Sequence, residues 1–297
     1  IMAKGLSYLR RRGLESKIRK EKIDIFHFHF GHVALEYMDL IKTFGDRSVV
    51  SLYGFDYEFL VFKKPEVKRK YKEMASMGVL FVTEGNYSSK LLLSYNVLAS
   101  RIRNVLMLFH PGLIIILKPL GFPLILFQAA SYSEKKGQDV LLKALGHCRN
   151  RDRFRLVLHG EIADREYFSY LKEIIGRYDL RNVSLGPKIS PVKYFRMLGE
   201  SHFICNLSRR SKLHDTEGGI PVLLKDALCA SKPVLSTFHC DIPDTIVHGY
   251  NGFLFQEDED RAVTGCLDYL GGISPNEYAG LSFITAGELE DVYRLRI

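Results

Sequence analysis

The stretch Asp215-Thr-Glu-Gly-Gly-Ile-Pro-Val-Leu-Leu-Lys-Asp-Ala-Leu-Cys-Ala-Ser-Lys-Pro-Val-Leu-Ser-Thr237 reads as a glycine-rich loop, a helix and a strand in succession. It follows an apolar run that ends near Asn206. Gly218 and Gly219 let the backbone approach a ligand closely, and Pro221 suits the first turn of a helix. Leu223, Leu224, Ala227 and Leu228 recur at helical spacing and mark its buried face. The free N–H groups and positive dipole end at the helix start then face whatever lies over the loop, which suits a diphosphate. Glu217 on the loop and Asp226 within the helix are carboxylates able to accept hydrogen bonds from sugar and ribose hydroxyls. The same residues also read as a glycine-rich turn capping a core helix, and local chemistry alone leaves both readings open.

Outward from this stretch, short apolar runs alternate with amphipathic segments, the pattern of a parallel α/β sheet. In the second half, strands are expected over 124–129, 155–159, 182–185, 203–206, 233–236 and 252–255. Helices are expected over 138–145, 165–178, 192–198, 221–230, 243–248 and 258–270. Six strands with helices between them amount to a whole Rossmann-like domain. In the first half the strand candidates are 24–29, 48–52, 79–82 and 103–108, with helix-like stretches at 32–42, 65–76 and 87–93. Proline and glycine cluster over 110–122, where the boundary is expected. The division drawn is a partial N-terminal Rossmann-like domain over 1–115 and a C-terminal one over 116–297.

A chain of 297 residues suits about two domains at roughly 150 residues each. It is 46% hydrophobic and 26% charged, a globular rather than a disordered balance. Forty-two Lys and Arg against 34 Asp and Glu give a net charge of +8, which suits anionic partners without choosing among them. The five cysteines, Cys148, Cys205, Cys229, Cys240 and Cys266, include no Cys-x-x-Cys pair, so neither a disulfide framework nor a zinc site is expected. A reducing, cytoplasmic setting follows from that usage. The apolar region 106–127 is broken by His110, Pro111, Lys118, Pro119 and Pro123, which reads as buried strands rather than a membrane span. Arg10, Arg11, Arg12, Lys17, Arg19, Lys20 and Lys22 make a basic N-terminal stretch. It is either a solvated helix face or a face for peripheral contact with an anionic membrane. The basic excess comes with no nucleic-acid-binding motif. Ile1 stands where a complete chain carries Met, so the sequence is read as a fragment.

Two further segments carry chemistry. Ser133-Glu-Lys-Lys-Gly-Gln-Asp139 follows the first strand of the second half and opens a helix. Lys136 beside Gly137 is placed to neutralise phosphate charge there. Asp24-Ile-Phe-His-Phe-His-Phe-Gly31 puts His27 and His29 on one face of a strand, and Ser51-Leu-Tyr-Gly-Phe-Asp56 follows. With no third ligand nearby, a polar cluster at the strand's end is expected rather than a metal site.

Taken in order, His-x-His-Phe-Gly, Tyr-Gly-Phe-Asp, Glu-Lys-Lys-Gly, Asp-Thr-Glu-Gly-Gly-x-Pro, Lys-Pro-Val-Leu-Ser-Thr, His-Cys-Asp-Ile-Pro and Asn-Gly-Phe-Leu resemble the retaining GT-B glycosyltransferases of family 4. The likeness spans about residues 20 to 265 and is greatest to members that build bacterial exopolysaccharides such as colanic acid and amylovoran. The resemblance implies two Rossmann-like domains facing a cleft. The C-terminal one would hold a nucleoside-diphosphate sugar, the N-terminal one a glycan or lipid-linked acceptor, with no bound metal or other cofactor.

Carried over by position, Lys136 would contact the donor diphosphate, with Ser131, Gly137 and Gly160 beside it. Glu217, Gly218, Gly219 and Ile220 would sit by the transferred sugar, and Asp226 would bind the ribose. His29 and Tyr53 would lie on the acceptor side, and 239–243 would form a loop nearer the rim. The departures are Ser131 where the family carries Arg, Ile162 where a second glycine stands, Asp226 for Glu, and Tyr53 where many relatives have His. The first N-terminal strand and its glycine-rich loop are also missing. Transfer with retention in polysaccharide assembly is the implied activity. The alternative is a truncated or impaired homologue that binds nucleotide or a partner without turnover.

Overall fold

The computed structural model describes residues 14–105, apart from 15 and 19, and 118–281. Contacts divide the chain into two compact units, Ile1–Val105 and Leu106–Ile297. The boundary expected at 115/116 lies outside the described residues, as do 106–117 of the apolar region and Arg10, Arg11, Arg12 and Arg19 of the basic stretch. Lys17, Lys20 and Lys22 are exposed, while Ile18 packs into the core of the first unit.

The first unit runs β1 (Phe26–His29), α1 (Gly31–Glu36), α2 (Met38–Phe44), β2 (Ser48–Ser51), a π-helical turn (Phe55–Phe59), α3 (Leu60–Lys63), α4 (Val67–Ser76), β3 (Leu80–Thr83), α5 (Asn86–Ser94) and β4 (Ile102–Asn104). Its four strands form one parallel sheet in the order β1-β2-β3-β4. Val50 and Phe81 from the strands pack against Ile41, Tyr71, Met74 and Leu92 from the helices. The single helix expected over 32–42 is two, broken at Tyr37, whose φ of −108° and ψ of 26° leave the helical range. The expected strand 103–108 is observed as Ile102–Asn104, its last three residues lying outside the described ones. The helical segment after β2 was not legible. Its first turn is aromatic, and Asp56 turns its carboxylate back to the backbone of Tyr53 and His32 instead of facing solvent.

The second unit runs β5 (Leu124–Ala129), α6 (Gln138–His147), β6 (Phe154–His159), α7 (Arg165–Arg177), β7 (Val183–Gly186), α8 (Pro191–Glu200), β8 (Phe203–Asn206), α9 (Val222–Cys229), β9 (Val234–Thr237), β10 (Gly252–Phe255), α10 (Asp260–Leu270) and α11 (Pro275–Leu281). All six strands are parallel, in the order β10-β9-β8-β5-β6-β7. The sheet is covered on both faces, which is why its strands read as continuous apolar runs. Leu124, Leu126, Leu156, Leu158, Phe203 and Cys205 meet one face's helices. Phe127, Val157, Ile204 and Val234 alternate to the other and meet Leu198, Leu223, Leu224 and Ala227. Each such Leu or Phe, fully buried, stabilises the fold by about 1.5–3 kcal/mol.

The α7 and α8 starts follow their sequence signals. The Asp164 side chain accepts from the backbone of Tyr167, and Ser190 accepts from Lys193 ahead of Pro191. The helix expected over 243–248 is absent; only a short turn, Ile242–Asp244, forms there. The Asn251 side chain explains this. It accepts from the Val247 N–H at 2.7 Å and donates to the Thr245 carbonyl at 3.1 Å, so these backbone groups are taken by a loop. The helix α11 was not anticipated. All five cysteines are free. No helix among the described residues is long and apolar enough to cross a membrane.

Candidate functional site

Strand order in the second sheet reverses between β5 and β8, and the loops leaving their carboxyl ends diverge there. In open parallel sheets that is where ligands bind. The loop after β5 makes a short turn over Glu134–Lys136 and passes through Gly137 into α6. Gly137 has φ +63°, and a Cβ on it would lie 1.9 Å from the Leu207 carbonyl oxygen, so glycine is required. The loop after β8 returns through Glu217 to α9.

These two loops bring Lys136 and Glu217 together. Lys136 Nζ donates to Glu217 Oε1 at 2.6 Å and to Oε2 at 2.9 Å. The Ser208 hydroxyl donates to the same Oε1 at 2.6 Å and receives the Asn206 amide at 2.8 Å. Gln128 on β5 donates to both Asn206 and the Lys136 carbonyl, tying the two loops to the sheet. Beside the pair, Lys135 Nζ lies 3.0 Å from Asp215. The Glu217 side chain is only 9% exposed. Burial pushes its pKa up, but the charges of Lys136 and Lys135 and the hydrogen bonds from Lys136 and Ser208 outweigh this and hold it at about 2. Two neighbouring buried atoms have no hydrogen-bond partner among the described residues, Thr216 Oγ1 and Gln138 Oε1. Orphaned buried polar groups of this kind call for a ligand or solvent.

The remaining expected residues of this unit fall around the pair. The Ser131 carbonyl accepts from the Gln138 amide at 2.9 Å, so its backbone borders the α6 start. Gly160 follows β6 and faces the backbone of Ala130 and Ser131. Gly218 has φ +69°, Gly219 N–H turns back to the Glu217 carbonyl at 2.8 Å, and Ile220 is buried in the core. The helix α9 begins at Val222 after Pro221, and no side chain caps it. Asp226 on α9 is buried, with its Oδ2 accepting from the Tyr194 hydroxyl at 2.6 Å. Burial, and after it the Asp226 carboxylate, raises the Tyr194 pKa far above its ordinary value.

In the first unit the structure joins His29 and Tyr53, the two acceptor-side candidates. His29 Nδ1 and Tyr53 Oη are 2.8 Å apart and the rings stack. His27 shares that strand face, with its Nε2 2.7 Å from Ser51 Oγ, and burial followed by the charge of His29 lowers its pKa. Both histidines therefore spend a ring nitrogen on a hydroxyl. No group of three or more His, Cys, Asp or Glu side chains placed to hold a metal occurs among the described residues.

Sequence reasoning missed several partners. His239 was expected nearer the rim, yet it is 2% exposed and its Nε2 accepts the Glu217 N–H at 3.2 Å. Glu257 lies 2.6 Å from its other nitrogen. Arg209, 8% exposed, pairs with Asp139 at 2.9 Å and with Asp258. The one available signal was position, since each follows the carboxyl end of a strand.

A model of the family described as "Glycosyl transferases group 1" matches residues 117–270, the greater part of the second unit. The chain belongs to the group 1 glycosyl transferases. The chain is 26% identical over 255 residues to the amylovoran biosynthesis glycosyltransferase AmsK of Erwinia amylovora, covering 82% of this chain and 60% of that one. It is 28% identical over 153 residues to WcaL of Salmonella typhimurium, named for colanic acid biosynthesis, covering 50% of this chain and 36% of that one. It thus spans between about a third and three fifths of the curated relatives it matches. Among solved structures, a glycosyltransferase from Rickettsia africae superposes with a TM-score of 0.73 at 16% identity, over 96% of this chain and 76% of that one. HepE of Anabaena, solved in complex with UDP and glucose, gives 0.59 at 16% identity, over 84% and 67%. At these identities the likeness shows the fold, the GT-B class with parallel α/β sheets.

Proposed function

We propose that this group 1 glycosyl transferase moves a sugar from a nucleoside-diphosphate sugar to a glycan or lipid-linked acceptor in polysaccharide assembly, with retention of configuration. The Lys136–Glu217 ion pair at the reversal of strand order carries this reading. It sets a cation and a carboxylate at the carboxyl end of the sheet, beside the start of a helix that no side chain caps. The names of AmsK and WcaL support a polysaccharide pathway. The UDP and glucose bound by HepE support a nucleotide-sugar donor.

On this reading the donor diphosphate lies over the α9 start and draws Lys136 to it. As the bond from the anomeric carbon to the diphosphate oxygen breaks, negative charge grows on the leaving group. Lys136 and the α9 dipole stabilise that charge. Glu217, released from Lys136 but still hydrogen-bonded by Ser208, takes sugar hydroxyls. The buried Thr216 hydroxyl, which has no hydrogen-bond partner among the described residues, supplies a further polar contact. Asp226, its orientation set by Tyr194, accepts from the ribose. The acceptor hydroxyl attacks the face the diphosphate leaves, its proton passing to the departing diphosphate oxygen, and the protein's work is holding both substrates in register. His29 and Tyr53 contribute on the acceptor side.

The test is release of nucleoside diphosphate from a panel of UDP-, GDP- and ADP-sugars. Turnover of one donor that is lost in both Lys136→Ala and Glu217→Gln supports the reading. Turnover of none, or full turnover by both variants, overturns it.

A further inference from the structure

The main chain at Glu217 is tethered from outside its own loop. Its N–H can only donate, so His239 Nε2, 3.2 Å away, must be the unprotonated nitrogen of the imidazole. The Cys240 thiol lies 3.2 Å from the same atom and meets the same lone pair. The ring proton therefore sits on Nδ1 and is donated to Glu257 Oε1 at 2.6 Å. Glu257 is fixed in turn, because its Oε2 accepts the Arg210 N–H at 2.9 Å. Burial raises the Glu257 pKa, but the hydrogen bonds from His239 and Arg210 bring it below the ordinary value, so the carboxylate is charged and locks the tautomer.

Three strand ends thus converge on one amide: Glu257 beyond β10, His239 beyond β9, and Glu217 on the loop after β8. The tether acts where the loop turns through glycine: Gly218 follows at φ +69°, a conformation glycine adopts without strain, and the Gly219 N–H turns back to the Glu217 carbonyl at 2.8 Å. Ser208 and Lys136 hold the carboxylate, but neither fixes the backbone that carries it.

We infer that His239, its tautomer set by Glu257, is a positioning residue that holds Glu217 in register with the transferred sugar. The inference rests on the donor-site reading of Glu217 given above. It assigns His239 no contact with substrate; the imidazole acts through the Glu217 amide.

The test compares His239→Gln with His239→Asn in the full chain. A Gln side-chain oxygen reaches the place of Nε2 and can accept the Glu217 N–H, whereas an Asn side chain ends near the place of Nδ1. With UDP-glucose as probe, His239→Asn is expected to lower kcat for UDP release about tenfold while KM stays within about twofold. His239→Gln is expected to remain within about threefold of the unaltered chain. By nitrogen-15 NMR, the unaltered chain should show an unprotonated Nε2 at His239. The Glu217 amide should exchange slowly in it and in the Gln variant, and about tenfold faster in the Asn variant. Equal kcat and equal amide protection in the Asn and Gln variants would overturn the inference. A Glu217→Gln control separates the two ideas. If that control is inactive while His239→Asn is unimpaired, the positioning role falls and the donor site stands. If the control is fully active, the donor-site reading falls.

Discussion

Lys136 and Glu217, 81 residues apart in sequence, meet at 2.6 Å where the order of strands in the second sheet reverses. Neither side chain is well exposed, at 18% and 9%, so each depends on the other for charge compensation. Removing one partner leaves the other largely desolvated. Lys136→Ala should therefore destabilise the chain by about 1–3 kcal/mol in urea unfolding, and should lower donor turnover by about a hundredfold. Joining Lys136→Met to Glu217→Gln should recover part of the stability and none of the turnover. A double variant no more stable than Lys136→Ala would show that the two side chains are not coupled.

The Ser131 backbone borders the α6 start next to Lys136, its carbonyl accepting from the Gln138 amide. Ser131→Arg would add a bidentate donor at the proposed diphosphate site. Nucleoside diphosphate should bind about three- to tenfold tighter by calorimetry. Equal or weaker binding would place the diphosphate elsewhere.

Gly137 is constrained both by its φ of +63° and by the Leu207 carbonyl oxygen 1.9 Å from where a Cβ would stand. A β-branched residue meets both penalties. Gly137→Val should destabilise the chain by about 2 kcal/mol or more, read as a fall in the urea midpoint. A loss below about 0.5 kcal/mol would mean that the turn into α6 has room the structure does not show.

Glu217 makes acid stability a specific property of the site. Its folded pKa is about 2 against an ordinary value of 4.5, so the unfolded chain binds more protons between these limits. The stabilisation is fully present above about pH 4.5 and is lost as pH falls toward 2, amounting to about 3 kcal/mol at most. Glu217→Gln should flatten the stability curve in that window. An unchanged slope there would show that other carboxylates dominate acid unfolding.

The second sheet was legible because both of its faces are buried. Its strands stand as short apolar runs between glycines, prolines and polar helix starts, and the runs ending at Ala129, Asn206 and Phe255 lie where they were read. The helix expected over 243–248 was not a failure of pattern but of competition, since Asn251 takes the backbone groups that a helix would use. At the site, Glu217 and Lys136 stand out in the sequence on loops after strands and Asp226 inside the helix that follows, and the structure brings the first two into contact. Their partners were not. That Lys136 faces Glu217, that Tyr194 orients Asp226 and that His239 accepts the Glu217 amide all follow from strand order, which no local window contains. His239 beside Cys240 and Pro243 reads as loop composition, and only the return of Glu257 beyond β10 gives the imidazole its second hydrogen-bond partner.

The most direct measurement is calorimetric titration of the unaltered chain and of Lys136→Ala with UDP, GDP and ADP, with thermal unfolding of both as the fold control. If Lys136 and the α9 start hold the donor diphosphate, one of the three nucleotides binds the unaltered chain, and Lys136→Ala, still folded, binds it at least about tenfold more weakly. Equal affinity in the two chains, or no binding of any nucleotide to the unaltered chain, would contradict the assignment of this site to a nucleoside-diphosphate sugar.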